Sequence, residues 1–263
     1  MHKTGRRRWQ RLLIFALGSV GVAVLGVLLY LGHIGAMTYL HPGRVTRSPG
    51  DTPARFGVAY RDVTLVTTDG VSLSAWYTAP KNGTVILVAH GYGVIRSAEM
   101  HAVFARHGFG VLSWDARAHG ESGGDFSTVG YLETLDVESA LDYALQQDGV
   151  RRVGAYGQSM GAAAIIRAAA RRPQIAAVVA DSPYATLDEM LRKLVPYPLL
   201  HPFIRFFVVR ETGIPIQAMR PIDDIGRISP RPILLIQCTS DDVVPLEAAQ
   251  KLYASAAEPR TLW

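Results

Sequence analysis

A single cysteine, Cys238, among 263 residues leaves no partner for an internal disulfide and no thiolate set for zinc or an iron–sulfur cluster. Acidic residues are missing from Met1–Arg11, which carries Lys3, Arg6, Arg7, Arg8 and Arg11. The net charge of +5 is therefore confined to that segment, because the rest of the chain has as many acidic as basic residues. A neutral body gives no support for a nucleic-acid surface. Charge is missing again from Leu12 to Gly32, and histidine is missing after His201. No internal repeat is visible. What is present, 49% hydrophobic residues and a mean hydropathy of +0.15, is enough to bury a full core and excludes a disordered chain.

The charge-free run 12–32 spans about 30 Å as a helix, the thickness of a hydrocarbon core. A buried soluble helix is seldom apolar on every face. A cleaved signal peptide has a shorter apolar region and a small-x-small site, and here the site ending at Ala36 is spoiled by Ile34. The sequence therefore predicts an uncleaved single-pass transmembrane helix over 12–32. The basic tail 1–11 puts the N-terminus in the cytoplasm and everything after Gly32 on the extracytoplasmic side. Residues 33–55, with Pro42, Pro49 and Pro53, read as a linker.

From residue 56 the pattern is that of an α/β domain. Residues 61–80 read as two strands joined at Thr68-Asp69-Gly70, a hairpin with Asp-Gly at its turn. Buried strands follow at 84–90, 108–115, 152–157, 176–182 and 231–238. Helices are predicted at roughly 97–107, 130–147, 160–172 and 246–257. Continuous apolar strands alternating with helices predict a doubly wound, mostly parallel sheet covered on both faces. The proline- and aromatic-rich insert 183–230 is placed at a strand's carboxyl end, where it would cover a site as a helical lid.

Gly157-Gln158-Ser159-Met160-Gly161 lies between a predicted strand and a predicted helix. A GxSxG in that setting is a sharp turn that needs small flanking residues and lifts the Ser159 hydroxyl clear of the sheet. The following helix aims its first amides at the same spot, which favours developing negative charge. His90-Gly91-Tyr92-Gly93 ends the first long buried strand, where a second oxyanion donor belongs. On these residues the chain, over roughly 60–263, resembles the α/β-hydrolase superfamily, in particular membrane-anchored serine hydrolase-like members with a short lid. The resemblance implies an oxyanion hole from the backbone N–H groups of Tyr92 and Met160. Trp114-Asp115-Ala116-Arg117-Ala118-His119-Gly120-Glu121-Ser122 looks like the family's DxRGxGxS segment, with Ala118 replacing its first glycine, and is read as structural support. His90 and His119 are read there as loop-ordering residues.

In the family's pattern the triad acid follows the next-to-last strand, where Asp241 precedes Asp-Val-Val-Pro; Asp242 is the fallback. The superfamily's chain order then requires a histidine. None follows Asp241, and the end of the chain, Glu258 to Trp263, reads like the opening of a last strand. The reading favoured here is a C-terminally truncated copy, with the last strand and histidine loop missing. The alternatives are a membrane-bound pseudoenzyme or binding protein on the same fold, and a substitute base such as His201 or His119. The reaction implied is hydrolysis of an ester, thioester or amide through an acyl-enzyme on Ser159, with no cofactor and no metal. Expected partners are the membrane and a small acyl, lipid-like or peptide substrate.

Overall fold

In the computed structural model, which describes residues 3–263, one eight-stranded sheet carries the molecule in the spatial order β1-β2-β4-β3-β5-β6-β7-β8. The chain opens with α1 (Lys3–Leu40), a helix long and apolar enough over Leu12–Leu40 to cross a membrane. The side chains of the basic cluster read in 1–11 lie outside the described residues. β1 (Arg61–Val66) and β2 (Ser72–Thr78) form the expected hairpin, with Gly70 at φ 85°, a left-handed conformation that glycine adopts without steric cost.

Parallel strands then alternate with helices: β3 (Thr84–Ala89), α2 (Ala98–Arg106), β4 (Gly110–Trp114), α3 (Glu133–Leu145), β5 (Arg152–Gln158), α4 (Met160–Arg171) and β6 (Ile175–Asp181). β4 also pairs antiparallel with β2 and so joins the hairpin to the parallel sheet. The central strands β3 and β4 are buried on both faces, as a sheet covered on both sides requires, while β6 and the strand Ile233–Ile236 alternate buried with half-buried or exposed residues. α4 is almost wholly alanine and isoleucine on its buried face because it lies directly against the sheet, where longer side chains would not fit.

The insert after β6 is helical: α5 (Leu187–Leu194), α6 (His201–Thr212) and the single turn α7 (Pro221–Asp224), joined by short 3-10 turns. β7 (Ile233–Ile236), α8 (Leu246–Ser255) and β8 (Arg260–Leu262) complete the sheet.

Two expectations are corrected here. Residues 33–40 are not linker: they continue α1 without a break, and Ala36 and Leu40 are fully buried against the domain. The apolar, proline-free stretch up to Leu40 has nothing to stop a helix, and Pro42 follows directly. The last strand, expected to be missing, is formed over Arg260–Leu262 and pairs parallel with β7.

α1 is tied to the domain at its C-terminal end. Gly32 and Gly35, one turn apart, let α6 approach closely, with Phe203 against the first and Ile204 against the second. The Leu40 carbonyl accepts from the Ser127 N–H at 2.8 Å, and Arg44 donates to the carbonyls of Gly120, Ser122 and Gly124.

Candidate active site

β5 ends and α4 begins with no intervening loop, so Ser159 must reverse the chain within one residue, and it sits at φ 49°, ψ −113°. Such a conformation costs a non-glycine residue of order 1–3 kcal/mol and persists only where its surroundings hold it. The hold comes from both sides. Ser159 N–H donates to Asp181 O at 2.8 Å, and its carbonyl accepts from Ala163 N–H at 3.0 Å. The flanking glycines are required by space: a Cβ on Gly157 would stand 2.5 Å from Gly161 O, and one on Gly161 would stand 2.5 Å from Ala89 O. Gly161→Ala is therefore expected to push α4 off β3, with a fall in melting temperature and loss of any Ser159 reactivity. An unchanged melting curve for that variant contradicts this packing.

The loop after β3 reaches the same place. A Cβ on Gly91 would be 3.6 Å from Ser159 Cβ, so the 90–93 backbone runs alongside the serine. The Tyr92 N–H has no hydrogen-bond partner among the described residues, and the Met160 N–H, first in α4, has no carbonyl four residues back within the helix. Two imidazoles fix this loop. His90 Nδ1 meets Gly91 O at 2.6 Å while Nε2 accepts from Ala116 N–H at 2.8 Å. His119 Nε2 accepts from Gly93 N–H at 3.1 Å while Nδ1 meets Arg117 O at 2.8 Å. Burial pushes the His90 imidazole down to about 3 and lowers that of His119, so both stay neutral.

Asp241 stands on the loop after β7. Its Oδ1 accepts from the Val243 and Val244 N–H groups at 2.8 and 2.9 Å, and Oδ2 from Gln237 Nε2 at 3.2 Å. These donors orient a half-buried carboxylate, whereas Asp242 is exposed and lies off the cavity. Of the two aspartates, Asp241 is the one that lines the same cavity as Ser159, Gly91 and Tyr92.

No histidine among the described residues joins Ser159 and Asp241. His119, carried from the sequence as a substitute base, has both ring nitrogens bonded to backbone. His201, the other substitute, gives Nε2 to Val195 O at 2.8 Å and lies outside the cavity lining. His33, His41, His101 and His107 do not line the cavity either.

The cavity measures about 650 Å³ and is mostly apolar. Its floor is Ser159, Gly91 and Ser182, and its walls are the lid residues Leu187, Met190, Leu191, Leu194 and Ile204. Sequence reasoning missed the remaining wall: Gly35, Thr38 and Tyr39 of α1. The Tyr92 hydroxyl donates to the Thr38 and Tyr39 carbonyls, each at 2.9 Å, so the loop beside Ser159 is fastened to the end of α1. Partial burial raises the Tyr92 phenol to about 12, which keeps it a donor. The Gly32/Gly35 spacing is the sequence signal that could have marked this docking face. Tyr92→Phe is expected to loosen the 90–93 loop, read as faster amide exchange at Gly91 and Gly93 with the overall melting temperature little changed. Equal exchange in both proteins contradicts that role.

A family model for serine aminopeptidases (Serine aminopeptidase, S33) matches residues 80–212. The uncharacterized protein Rv2307c of Mycobacterium tuberculosis is 34% identical over 222 residues, covering 81% of this chain and 74% of its own. The alpha/beta hydrolase domain-containing protein WAV2 of Arabidopsis thaliana is 25% identical over 259 residues, covering 91% of this chain and 81% of its own. Among solved structures, the esterase Pf2001 of Pyrococcus furiosus superposes with a TM-score of 0.70 at 28% identity, covering 85% of this chain and 88% of that one.

Proposed function

The chain belongs to the serine aminopeptidase S33 family of α/β-hydrolases, a hydrolase of the esterase/peptidase-like class, and from that premise we propose that its reaction is acyl transfer to water at Ser159. The observation that carries this reading is the strained Ser159 at the β5–α4 junction, facing a cavity that also holds Asp241 and the unpartnered Tyr92 amide. Ser159 Oγ attacks the carbonyl carbon of an ester, thioester or amide, and its proton passes to a base. The negative charge on the carbonyl oxygen is met by the Tyr92 and Met160 N–H groups at the positive end of α4. The alcohol, thiol or amine leaves with a proton, and water attacks the acyl-serine to regenerate the hydroxyl.

Asp241 serves to orient an imidazole and stabilise its cation. On this reading the described residues bring nucleophile, acid and oxyanion donors together with no imidazole among them at that place. Without it, only the acceleration from binding and the oxyanion hole remains, on the order of 10³–10⁴ over water. Turnover is expected well below about 1 s⁻¹, the low end for ordinary enzymes. The same observation favours one second reading, a ligand-binding protein that uses this cavity without chemistry.

The two are separated by hydrolysis of p-nitrophenyl butyrate by the full chain in lipid nanodiscs, with and without added imidazole. The expected result is a slow rate that imidazole raises above the level of a Ser159→Ala control treated in the same way. Identical rates for the folded protein and that control, with and without imidazole, favour the binding reading.

A further inference from the structure

Twenty uncharged, mostly apolar residues of α1, Leu12–Leu31, are exposed but for the half-buried Leu28, and at about 1.5 Å per residue they span about 30 Å, one hydrocarbon core. Docking onto α6 begins at the very next residue, Gly32. Seated in a bilayer by its apolar length, α1 therefore brings α6 and the segment before it to the level of the membrane surface. That part of the lid is suited to such a place. Tyr197, Leu199, Phe206 and Val209 are exposed there, at 65, 75, 55 and 41%. Of the four basic side chains in residues 190–210, Arg192 and Arg205 are paired with Asp188, and Lys193 and Arg210 have no acidic partner among the described residues. An apolar face with an aromatic and basic fringe matches the interfacial region of a bilayer.

The cavity points the same way. Its walls are the last turns of α1 and the lid helices α5 and α6, with Leu194 at 60% exposure on its rim. We propose that the lid face formed by residues 194–209 rests in the bilayer interface, and that the Ser159 cavity draws its substrate from there as a long-chain acyl ester or thioester. The acyl chain runs past Gly35, Thr38 and Tyr39 of α1 toward Ser159. A segment read as a tether thus becomes one wall of the binding site. The identity of the scissile bond rests on the Ser159 reading above; the entry of an acyl chain does not.

The test uses the full chain in phosphatidylcholine nanodiscs and two readouts that need no turnover. In a Cys238→Ser background, single cysteines at Leu199, Phe206 or the distal, exposed Gln146 carry an environment-sensitive fluorophore, and lipids with a shallow nitroxide are added. The lid positions are expected to be quenched several-fold more than position 146. Equal quenching at all three overturns the docking.

In the second readout, a phosphatidylcholine with a diazirine in its acyl chain is photolysed and crosslinked peptides are mapped. Label is expected on 35–39 and on 187–195, retained in Ser159→Ala and reduced several-fold in Leu194→Trp, with the melting temperature confirming that each variant is folded. Label confined to 12–31 overturns the acyl-chain route. A failure of Ser159 chemistry appears separately, as intact photolabelling of a protein without Ser159-dependent hydrolysis.

Discussion

Replacing Arg96 by methionine is expected to destabilise the domain by about 3 kcal/mol, the lower end of the cost of removing one partner of a buried ion pair, because Arg47 still stands 3.6 Å from Asp115. Arg96 is 3% exposed and meets Asp115, which is 0% exposed. Its guanidinium lies 2.5 Å from Asp115 Oδ2 and 2.6 Å from Glu121 Oε2, with Ser74 O at 3.2 Å, and it stacks 4.4 Å from the centre of the Trp76 ring. The Asp115 carboxylate also accepts from the Arg96 and Glu121 N–H groups, so it organises the loops after both β3 and β4. Methionine keeps the packing on Trp76 and removes the charge. For a domain of this size, each kcal/mol moves the melting temperature by roughly 2–4 °C, so a fall of about 10 °C is expected. A shift under about 2 °C would show that Asp115 finds water or another cation when Arg96 is lost. Arg96→Lys is expected to recover only part of the loss, because an ammonium cannot bridge two carboxylates in one plane.

Below pH 6.5 the protein is expected to lose stability through its buried histidines, offset in part by Asp136, whose carboxyl burial raises to about 7. Burial holds the His90 imidazole down at about 3 and the His101 imidazole at about 4, against an ordinary value of 6.5, and lowers His119 as well. In each case the unfolded chain binds a proton that the folded protein refuses. The histidine contribution is therefore constant above pH 6.5 and turns destabilising as the pH drops below it, until the folded groups titrate. One such proton costs about 1.4 kcal/mol per pH unit, so at pH 5 His90 and His101 together remove about 4 kcal/mol.

The hydrogen bonds explain why these rings refuse protons. Thr78 Oγ1 gives its own proton to Ala59 O, so His101 Nε2 is the donor to Thr78 and Nδ1 accepts from Ser113. His90 Nε2 already accepts from an amide and cannot also carry a proton. Because His90 and His119 hold the 91–93 loop, local opening beside Ser159 should precede global unfolding. The check is the urea midpoint at pH 7.5 and 5.0, with His101→Asn expected to flatten the difference. Equal midpoints at the two pH values contradict the assignment.

Most of the sheet was legible because its cause is local. In β3 the side chains of Val85, Leu87 and Val88 are all buried although neighbours in a strand point to opposite faces, so the strand has to be apolar throughout. Each such run became a strand within two residues of its expected ends. The GxSxG was legible for a similar reason, since its two glycines answer contacts made within four residues or with the adjacent strand. The lid was legible only as an insert, because proline and aromatic content says that a segment covers something without fixing how.

Of α1, the apolar length was legible and the docking was not, its one sequence trace being the Gly32/Gly35 spacing. A helix apolar on every face hides which side docks, and its partners, Tyr92, Ser127 and Phe203, lie 50 or more residues away in sequence. Asp241 could be favoured over Asp242 from the family's pattern alone, but the physical reason, three donors converging on one carboxylate, needs the turn and Gln237 in place.

The measurement that bears most directly on the central claim is to treat the folded full chain with an alkyl fluorophosphonate and map the adduct by mass spectrometry. The account predicts a single slow adduct on Ser159, accelerated by added imidazole and lost in Ser159→Ala. An adduct on another serine, or none after long incubation of folded protein with imidazole, would contradict a nucleophilic Ser159.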